Sequence, residues 1–323
     1  QELPFPKRDN GKMVHTLFVW DFDWTVINCN SDEYIPAQFI RDEEELDAAF
    51  QELYQATQQD WHACVQAMVG RVMQQHAVTP ETILAAARHM PYMTEVRAAL
   101  DIIHDGRAKE EGRGTGQMIL SDGNTLFIGA FLDANVLNEH FTHGVVSNEG
   151  KWVRSNGSDE NNVVRLEVVH QSKQYGGHFC DRCPKNLCKT QALQHALQEH
   201  FPGALPKDSK ARYPRKGPQR IVYLGDGAND ACPALHVLGE CDVLLARAGR
   251  KRRNANSLAG PETEKDATIK ETEGGGAFGI LSALRRAQEE AKQSLKCQVL
   301  EWTTGDELKE LVTKLMEDIP ISK

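Results

Sequence analysis

Three stretches of the chain repeat one pattern, in which an apolar run stops abruptly in a polar turn. Leu17-Phe18-Val19-Trp20 ends in Asp21-Phe22-Asp23, Met118-Ile119-Leu120 ends in Ser121-Asp122-Gly123-Asn124, and Ile221-Val222-Tyr223-Leu224 ends in Gly225-Asp226-Gly227-Ala228-Asn229-Asp230. Short apolar runs bounded by polar residues predict strands buried on both faces. Val243-Leu244-Leu245 predicts a fourth strand, and shorter apolar pieces lie at Val145-Val146 and from Val163 to Val169. Between these runs the period changes. Leu46, Ala49, Phe50, Leu53 and Tyr54 recur at helical spacing, Cys64, Met68 and Val72 less regularly, and Val96, Leu100 and Ile103 form one stripe. Further helices are predicted near 125–137, 189–198 and 305–317. Strands alternating with helices predict an α/β fold with a doubly wound, mainly parallel sheet. Residues 33–92 are helical without a strand partner. They predict a small cap inserted into a core made of 14–32 and 93–323. Residues 149–179 read as a surface excursion with two or three short strands, including Val163 to Val169, and 1–13 and 250–276 as mobile segments.

Composition narrows the function. The 323 residues allow one large or two modest domains, and a net charge of −9 argues against a nucleic-acid surface. The basic run Arg250-Lys251-Arg252-Arg253 reads as a solvated loop. No apolar run approaches the length of a membrane span. The first residues lack the apolar segment of a signal peptide, and a start at Gln1 is compatible with a removed leader or tag. Eight cysteines without a secretory leader predict reduced thiols and a cytoplasmic protein.

The polar turns carry the chemistry. Alternation sends Asp21 and Asp23 to the same side of an extended chain. Open α/β sheets bind ligands at the carboxyl ends of their strands, where two carboxylates suit Mg2+. An aspartate can also attack a phosphoryl group. Such an attack gathers negative charge, so a metal has to bridge it, with Asp21 and Asp226 supplying carboxylate oxygens. Ser121 and the backbone N–H groups after Asp21 and Asp122 can donate to phosphoryl oxygens. Lys189, at a helix start, can neutralise the rest, and Asp23 can protonate the leaving oxygen and later activate water. Ser31 or Asp32 can cap the helix that opens the insert. Cys180, Cys183 and Cys188, with His178 nearby, have spacing compatible with zinc or with a compact thiol-lined turn that places Lys189. His170 and His178 are further candidates for contact with phosphate.

Asp21-Phe22-Asp23-Trp24-Thr25-Val26, Leu120-Ser121-Asp122, Lys189 and Gly225-Asp226-Gly227-Ala228-Asn229-Asp230 resemble, in this order, the four motifs of the haloacid dehalogenase (HAD) superfamily. Asn30-Ser31-Asp32, Ser121-Asp122-Gly123-Asn124, the segment Cys180-x-x-Cys183-Pro184-x-Asn186-x-Cys188-Lys189 and Gly225 to Pro233 narrow the resemblance. They are similar to the phosphoethanolamine/phosphocholine phosphatase family, which includes pyridoxal-phosphate phosphatase-like and thiamine-phosphate phosphatase relatives. The resemblance covers most of 14–248, plus Val299 to Gly305. It implies a Rossmann-like core, Asp21 as nucleophile and Asp23 as general acid/base. Mg2+ would be held by Asp21, Asp226 and the Asp23 carbonyl, with Asn229 and Asp230 around it; Asp230 would position the metal or Lys189. Ser121, Asp122 and Asn124 would bind substrate or phosphate. Asp32 and Asp122 would face a cationic head group, with Trp24 and Tyr34 as a possible aromatic wall or as packing. The expected activity is a Mg2+-dependent phosphomonoesterase acting through an aspartyl-phosphate on phosphocholine or phosphoethanolamine. The alternatives are a pyridoxal- or thiamine-phosphate phosphatase and, in a different class, an inert phosphate-binding scaffold.

Overall fold

The computed structural model describes residues 14–109, 114–154, 164–180, 182–202, 217–249, 279–290, 292 and 294–317. The readings for 1–13, 250–276, the basic run 250–253 and most of 203–219 lie outside them.

Seven strands form one sheet among these residues: β1 (Val14–Trp20), β2 (Gly114–Asn124), β3 (Val145–Arg154), β4 (Val164–Val169), β5 (Arg220–Gly225), β6 (Val243–Arg247) and β7 (Gln298–Trp302), in the order β4-β3-β2-β1-β5-β6-β7. All neighbours run parallel except β3 and β4, which pair antiparallel. The chain winds outward from β1 to β4 and then returns to lay β5 on the other side of β1. The order therefore reverses between β1 and β5, and a crevice opens there at their carboxyl ends.

Alternation divides the central strands between two apolar layers. Phe18, Trp20, Val222, Leu224 and Leu245 face one layer, and Leu17, Val19, Ile221, Tyr223 and Leu244 the other. This two-sided burial explains the continuous apolar runs. Each buried side chain of this kind contributes about 1.5–3 kcal/mol. Helices α5 (Thr94–Lys109) and α10 (Gly305–Glu317) cover the first layer, α5 through the predicted stripe Val96, Leu100 and Ile103. Helices α7 (Lys189–His200), α8 (Ala231–His236) and α9 (Gly279–Glu290) cover the second.

The insert forms α1 (Ser31–Ala37), α2 (Glu43–Ala56), α3 (Trp61–Gln75) and α4 (Pro80–Arg88). Each starts at a side chain that accepts a backbone N–H: Asn30, Asp42, Asp60 and Thr79, the last followed by Pro80 in the first turn. Asn30 takes the cap that the sequence assigned to Ser31 or Asp32, which releases both for other contacts. Leu46, Met68 and Ile83 of the insert belong to the same apolar cluster as Phe18 and Trp20.

Two regions depart from the sequence reading. Residues 145–154 and 164–169 pair as the sheet's edge hairpin, so the short strands read in this excursion belong to the sheet itself. Leu166 and Val168 are buried, and Val168 N–H donates to Gln66 of α3 at 3.0 Å. Helix α9 and strand β7 were not predicted. No helix among the described residues is long and apolar enough to cross a membrane.

Candidate active site

The crevice between β1 and β5 collects the acidic turns. Asp21 follows β1 directly, and its N–H reaches the Leu224 carbonyl of β5 at 2.9 Å, so Asp21 is locked to the central strand pair. One carboxylate oxygen accepts the Phe22 N–H at 2.7 Å. The other lies 2.7 Å from Nζ of Lys189. Lys189 opens α7, is fully buried, and binds Asp230 at 2.6 Å as well. Burial works against its charge, but Asp21, Asp230 and Asp122 more than offset this and hold its pKa well above the ordinary lysine value.

Asp230 is committed on both oxygens. Oδ1 accepts from Lys189 and from the Tyr223 hydroxyl at 2.7 Å, while Oδ2 accepts the N–H groups of Asp226 and Gly227 at 3.2 and 2.8 Å. Its part here is to hold Lys189 in place. Burial, and then Asp230, keep the Tyr223 hydroxyl protonated as a donor far above its usual range. Carboxylate oxygens of Asp21, Asp226 and Asp230 come within 4.8 Å of one another, and all three residues are buried. Burial, and next Asp230, push the Asp21 pKa up in spite of Lys189. This set of hard oxygen donors, with more negative charge than one ammonium balances, fits a small divalent cation.

Asp23 is held apart from that trio. Its carboxylate accepts the Ser31 N–H at 2.9 Å and the Ser31 hydroxyl at 3.2 Å. Burial raises its pKa well above the carboxylate norm, with Asp32 the next contributor. A carboxyl group whose pKa is raised in this way suits general acid catalysis. The turn between the two aspartates puts Trp24 at φ 58°, a left-handed conformation costly for a bulky residue. Arg247, at the end of β6, holds this turn by donating to the Trp24 carbonyl and, at 2.7 Å, to Asn28 Oδ1.

The second motif is fixed mainly by amide side chains. Asn148 of β3 donates to the carbonyls of Asp122 and Gly123 at 2.7 and 2.9 Å, and Asn186 reaches the Asp122 carbonyl at 3.4 Å. His62 Nε2, from α3, lies 3.0 Å from the same carbonyl. The Asp122 carboxylate accepts from Asn229 Nδ2 at 3.0 Å. Asp32 is buried, accepts the Trp61 indole N–H at 2.9 Å, and has its pKa raised, by burial first.

Several sequence assignments change. Ser121 Oγ accepts the Gly123 N–H at 3.1 Å and keeps its own hydrogen for donation. The N–H groups after Asp21 and Asp122, offered by the sequence to phosphoryl oxygens, are turned inward onto Asp21 and Ser121. Asn124 caps α6 (Thr125–Ala134) through Oδ1, so this oxygen is withdrawn from substrate. Tyr34 is packing, its hydroxyl spent on the His89 carbonyl at 2.9 Å. His178 accepts the Cys180 N–H at 3.2 Å and shapes the cysteine loop, and His170 packs edge-on against His62, with ring centroids 5.3 Å apart. Cys180, Cys183 and Cys188 do converge, and Cys232 of α8 joins them.

Sequence reasoning missed Tyr223, His62, Asn148, Asn186, Trp61, Arg247 and Cys232. The one local signal was Cys232 itself, two residues beyond Asp230.

Comparison with known proteins agrees with this geometry. The family described as "Putative Phosphatase" matches residues 16–270. Pyridoxal phosphate phosphatase PHOSPHO2 of Mus musculus is 30% identical over 239 residues, covering 73% of this chain and 83% of the relative. Inorganic pyrophosphatase 2 of Arabidopsis thaliana is 27% identical over 237 residues, covering 73% and 72%. A thiamine phosphate phosphatase-like protein of the same plant is 25% identical over 235 residues, covering 73% and 81%. With three acidic turns at the carboxyl ends of a mostly parallel sheet and Lys189 at the start of α7, the chain belongs to this phosphatase family and is a phosphoric monoester hydrolase.

Proposed function

We propose that this chain hydrolyses a small, cation-bearing phosphate monoester, of the phosphoethanolamine or phosphocholine type, through a phosphorylated Asp21. The observation that carries the chemistry is the buried Asp21–Lys189–Asp230 arrangement, with Asp23 held apart from it by Ser31 and its pKa raised by burial. Asp21 and Asp226 would hold Mg2+, together with the Asp23 carbonyl. When bound, the ion neutralises charge on the phosphoryl oxygens and lets an anionic nucleophile approach an anionic ester. Lys189 and the Ser121 hydroxyl serve the same oxygens.

In the first half-reaction an Asp21 oxygen bonds to phosphorus, the bond to the ester oxygen breaks, and Asp23 gives its proton to the departing alcohol. In the second, water attacks phosphorus, Asp23 takes the water's proton, and phosphate leaves with Asp21 restored. The insert, 33–92, acts as a cap that excludes water over the core of 14–32 and 93–323. The family assignment speaks against an inert scaffold. Eight free thiols among the described residues support a reducing, cytoplasmic setting.

Substrate choice falls on Asp32 and Asp122. Asp32 is a buried carboxylate on the insert side, oriented by Trp61, and an ammonium ion would stabilise its charged form. A second reading, pyridoxal 5'-phosphate or thiamine phosphate, draws on the names of the relatives and on the Phe50–Trp61 stack, with centroids 5.6 Å apart, next to Asp32.

The test is a panel of phosphate esters assayed with Mg2+, with EDTA, and with Asp32→Asn. Asp32 has a raised pKa, so it is neutral at pH values where an ordinary aspartate is charged. KM for amino-alcohol phosphates should therefore fall as pH rises through that pKa. Asp32→Asn should abolish this limb and raise KM about 10-fold, equivalent to 1.4 kcal/mol. It should leave pyridoxal phosphate unaffected. An equal effect on all esters would defeat the cation reading. Turnover that persists in EDTA would defeat the metal-assisted chemistry.

A further inference from the structure

The thiol cluster lies beside the catalytic pair, and the phosphatase chemistry does not use it. Cys180 and Cys183 come from the loop before α7, Cys188 directly precedes Lys189, and Cys232 lies in the first turn of α8. One Sγ from each approaches the others within 4.8 Å, and Cys180 and Cys232 are 3.5 Å apart. Cys183, Cys188 and Cys232 are buried and Cys180 is half-buried.

Four sulfurs around a tetrahedral ion with bonds of about 2.3 Å lie roughly 3.8 Å from one another, which is the scale seen here. A multinuclear iron–sulfur cluster would hold its cysteines farther apart. The surroundings also suit thiolates. The Thr190 hydroxyl donates to Cys232 Sγ at 3.1 Å, the N-terminal end of the 12-residue α7 points its positive dipole at Cys188, and His178 braces the Cys180 N–H. Four thiols gathered from three places in the fold exceed what a tight turn requires.

We propose that Cys180, Cys183, Cys188 and Cys232 form a structural four-thiolate Zn2+ site that clips the loop and the first turn of α7 to α8. On binding, four thiol protons are released and no electron is transferred. Cys188 adjoins Lys189, and Cys232 lies two residues beyond Asp230. The clip thus spans the two elements that carry the buried ion pair. The metal assignment does not depend on the catalytic reading, because its readouts are metal content and spectrum.

The experiment uses the full chain, purified without chelators. Elemental analysis should find one zinc per chain. Cys232→Ser and Cys180→Ser should each lose it, whereas Cys241→Ser, which removes an exposed thiol outside the cluster, should keep it. Exchange with Co2+ should give the strong sulfur-to-metal absorption and visible bands of tetrahedral cobalt thiolate. Cys180 is peripheral, so its variant keeps the test open if Cys232→Ser fails to fold. A folded wild-type protein that holds no stoichiometric metal would overturn the proposal, whether its four thiols titrate as reduced or are joined in disulfides. Stoichiometric iron in place of zinc would overturn it too.

Discussion

Two clusters of side chains meet at the first turns of α7 and α8, and they are built from opposite chemistry. On one side Asp21, Asp226 and Asp230 present hard oxygens around a buried ammonium. On the other, four sulfurs turn toward one another. The oxygen cluster opens on the crevice at the end of β1 and β5 and carries a charge imbalance that substrate and cation can relieve. In the sulfur cluster three of the four donors are buried, and all four lie within 4.8 Å of one another. One short helix start, Cys188-Lys189, contributes to both. The contrast shows how one fold separates a site that must exchange its contents from one that need only hold still: donor softness differs, although the two are neighbours in sequence.

The largest effect should come from Asp21→Asn. Removal of the proposed nucleophile should lower kcat by about 10⁴-fold or more, with the zinc content proposed for the thiol cluster unchanged. Loss of both together would mean that the two clusters are not separable. Lys189→Met probes the shared element. It strands Asp21 and Asp230 as buried carboxylates, so unfolding by urea should show a loss of about 3–5 kcal/mol, as when one partner of a buried pair is removed. Unchanged stability would show that the ion pair does not anchor α7.

Asp23→Asn should cut kcat about 10²–10⁴-fold for alkyl phosphates. The loss should be much smaller with p-nitrophenyl phosphate, whose leaving group needs no proton. Equal losses on the two esters would remove Asp23 from the role of acid. Gly123→Ala should have the smallest effect. A Cβ there would sit 3.3 Å from Ser121 Oγ, so the hydroxyl must shift by a few tenths of an ångström. A change of only a few-fold in KM, with the thiol cluster untouched, is the expected result of steady-state kinetics.

The oxygen cluster was largely legible in the sequence, and the reason is local. An apolar run that stops at Asp21, Asp122 or Asp226 states in a few residues that a buried strand has reached its carboxyl end. Lys189 was legible as a lone cation at a helix start. The supports were not. Tyr223 reads as one more buried strand residue, and only the fold turns its hydroxyl toward Asp230. Asn148 and His62 act across 86 residues of sequence, and Asn186 and His62 across 124, distances at which no periodicity survives. Cys232 looked scattered because 43 residues separate it from Cys188. Ser31 was mistaken for a cap because Asn30, equally able to cap, stands beside it. The strands of the edge hairpin were legible as short apolar pieces, though not that they pair and close the sheet's edge, and β7 was missed because its sequence, Gln298-Val299-Leu300-Glu301-Trp302, mixes charge with apolar residues on a sheet edge.

The amide lattice around the second motif has a consequence for how this enzyme can be retuned. Asn148 clasps two successive carbonyls of that turn while its own oxygen accepts the Gln171 N–H at 2.9 Å, so the floor of the crevice is cross-braced to the next strand. A floor tied at three points has little room to adapt to a larger or smaller guest. On the proposed cap reading, acceptance of a new ester, by evolution or by design, falls to Asp32 and Trp61 on the insert side, and a change at Asp32 also alters the field on the Asp23 carboxylate.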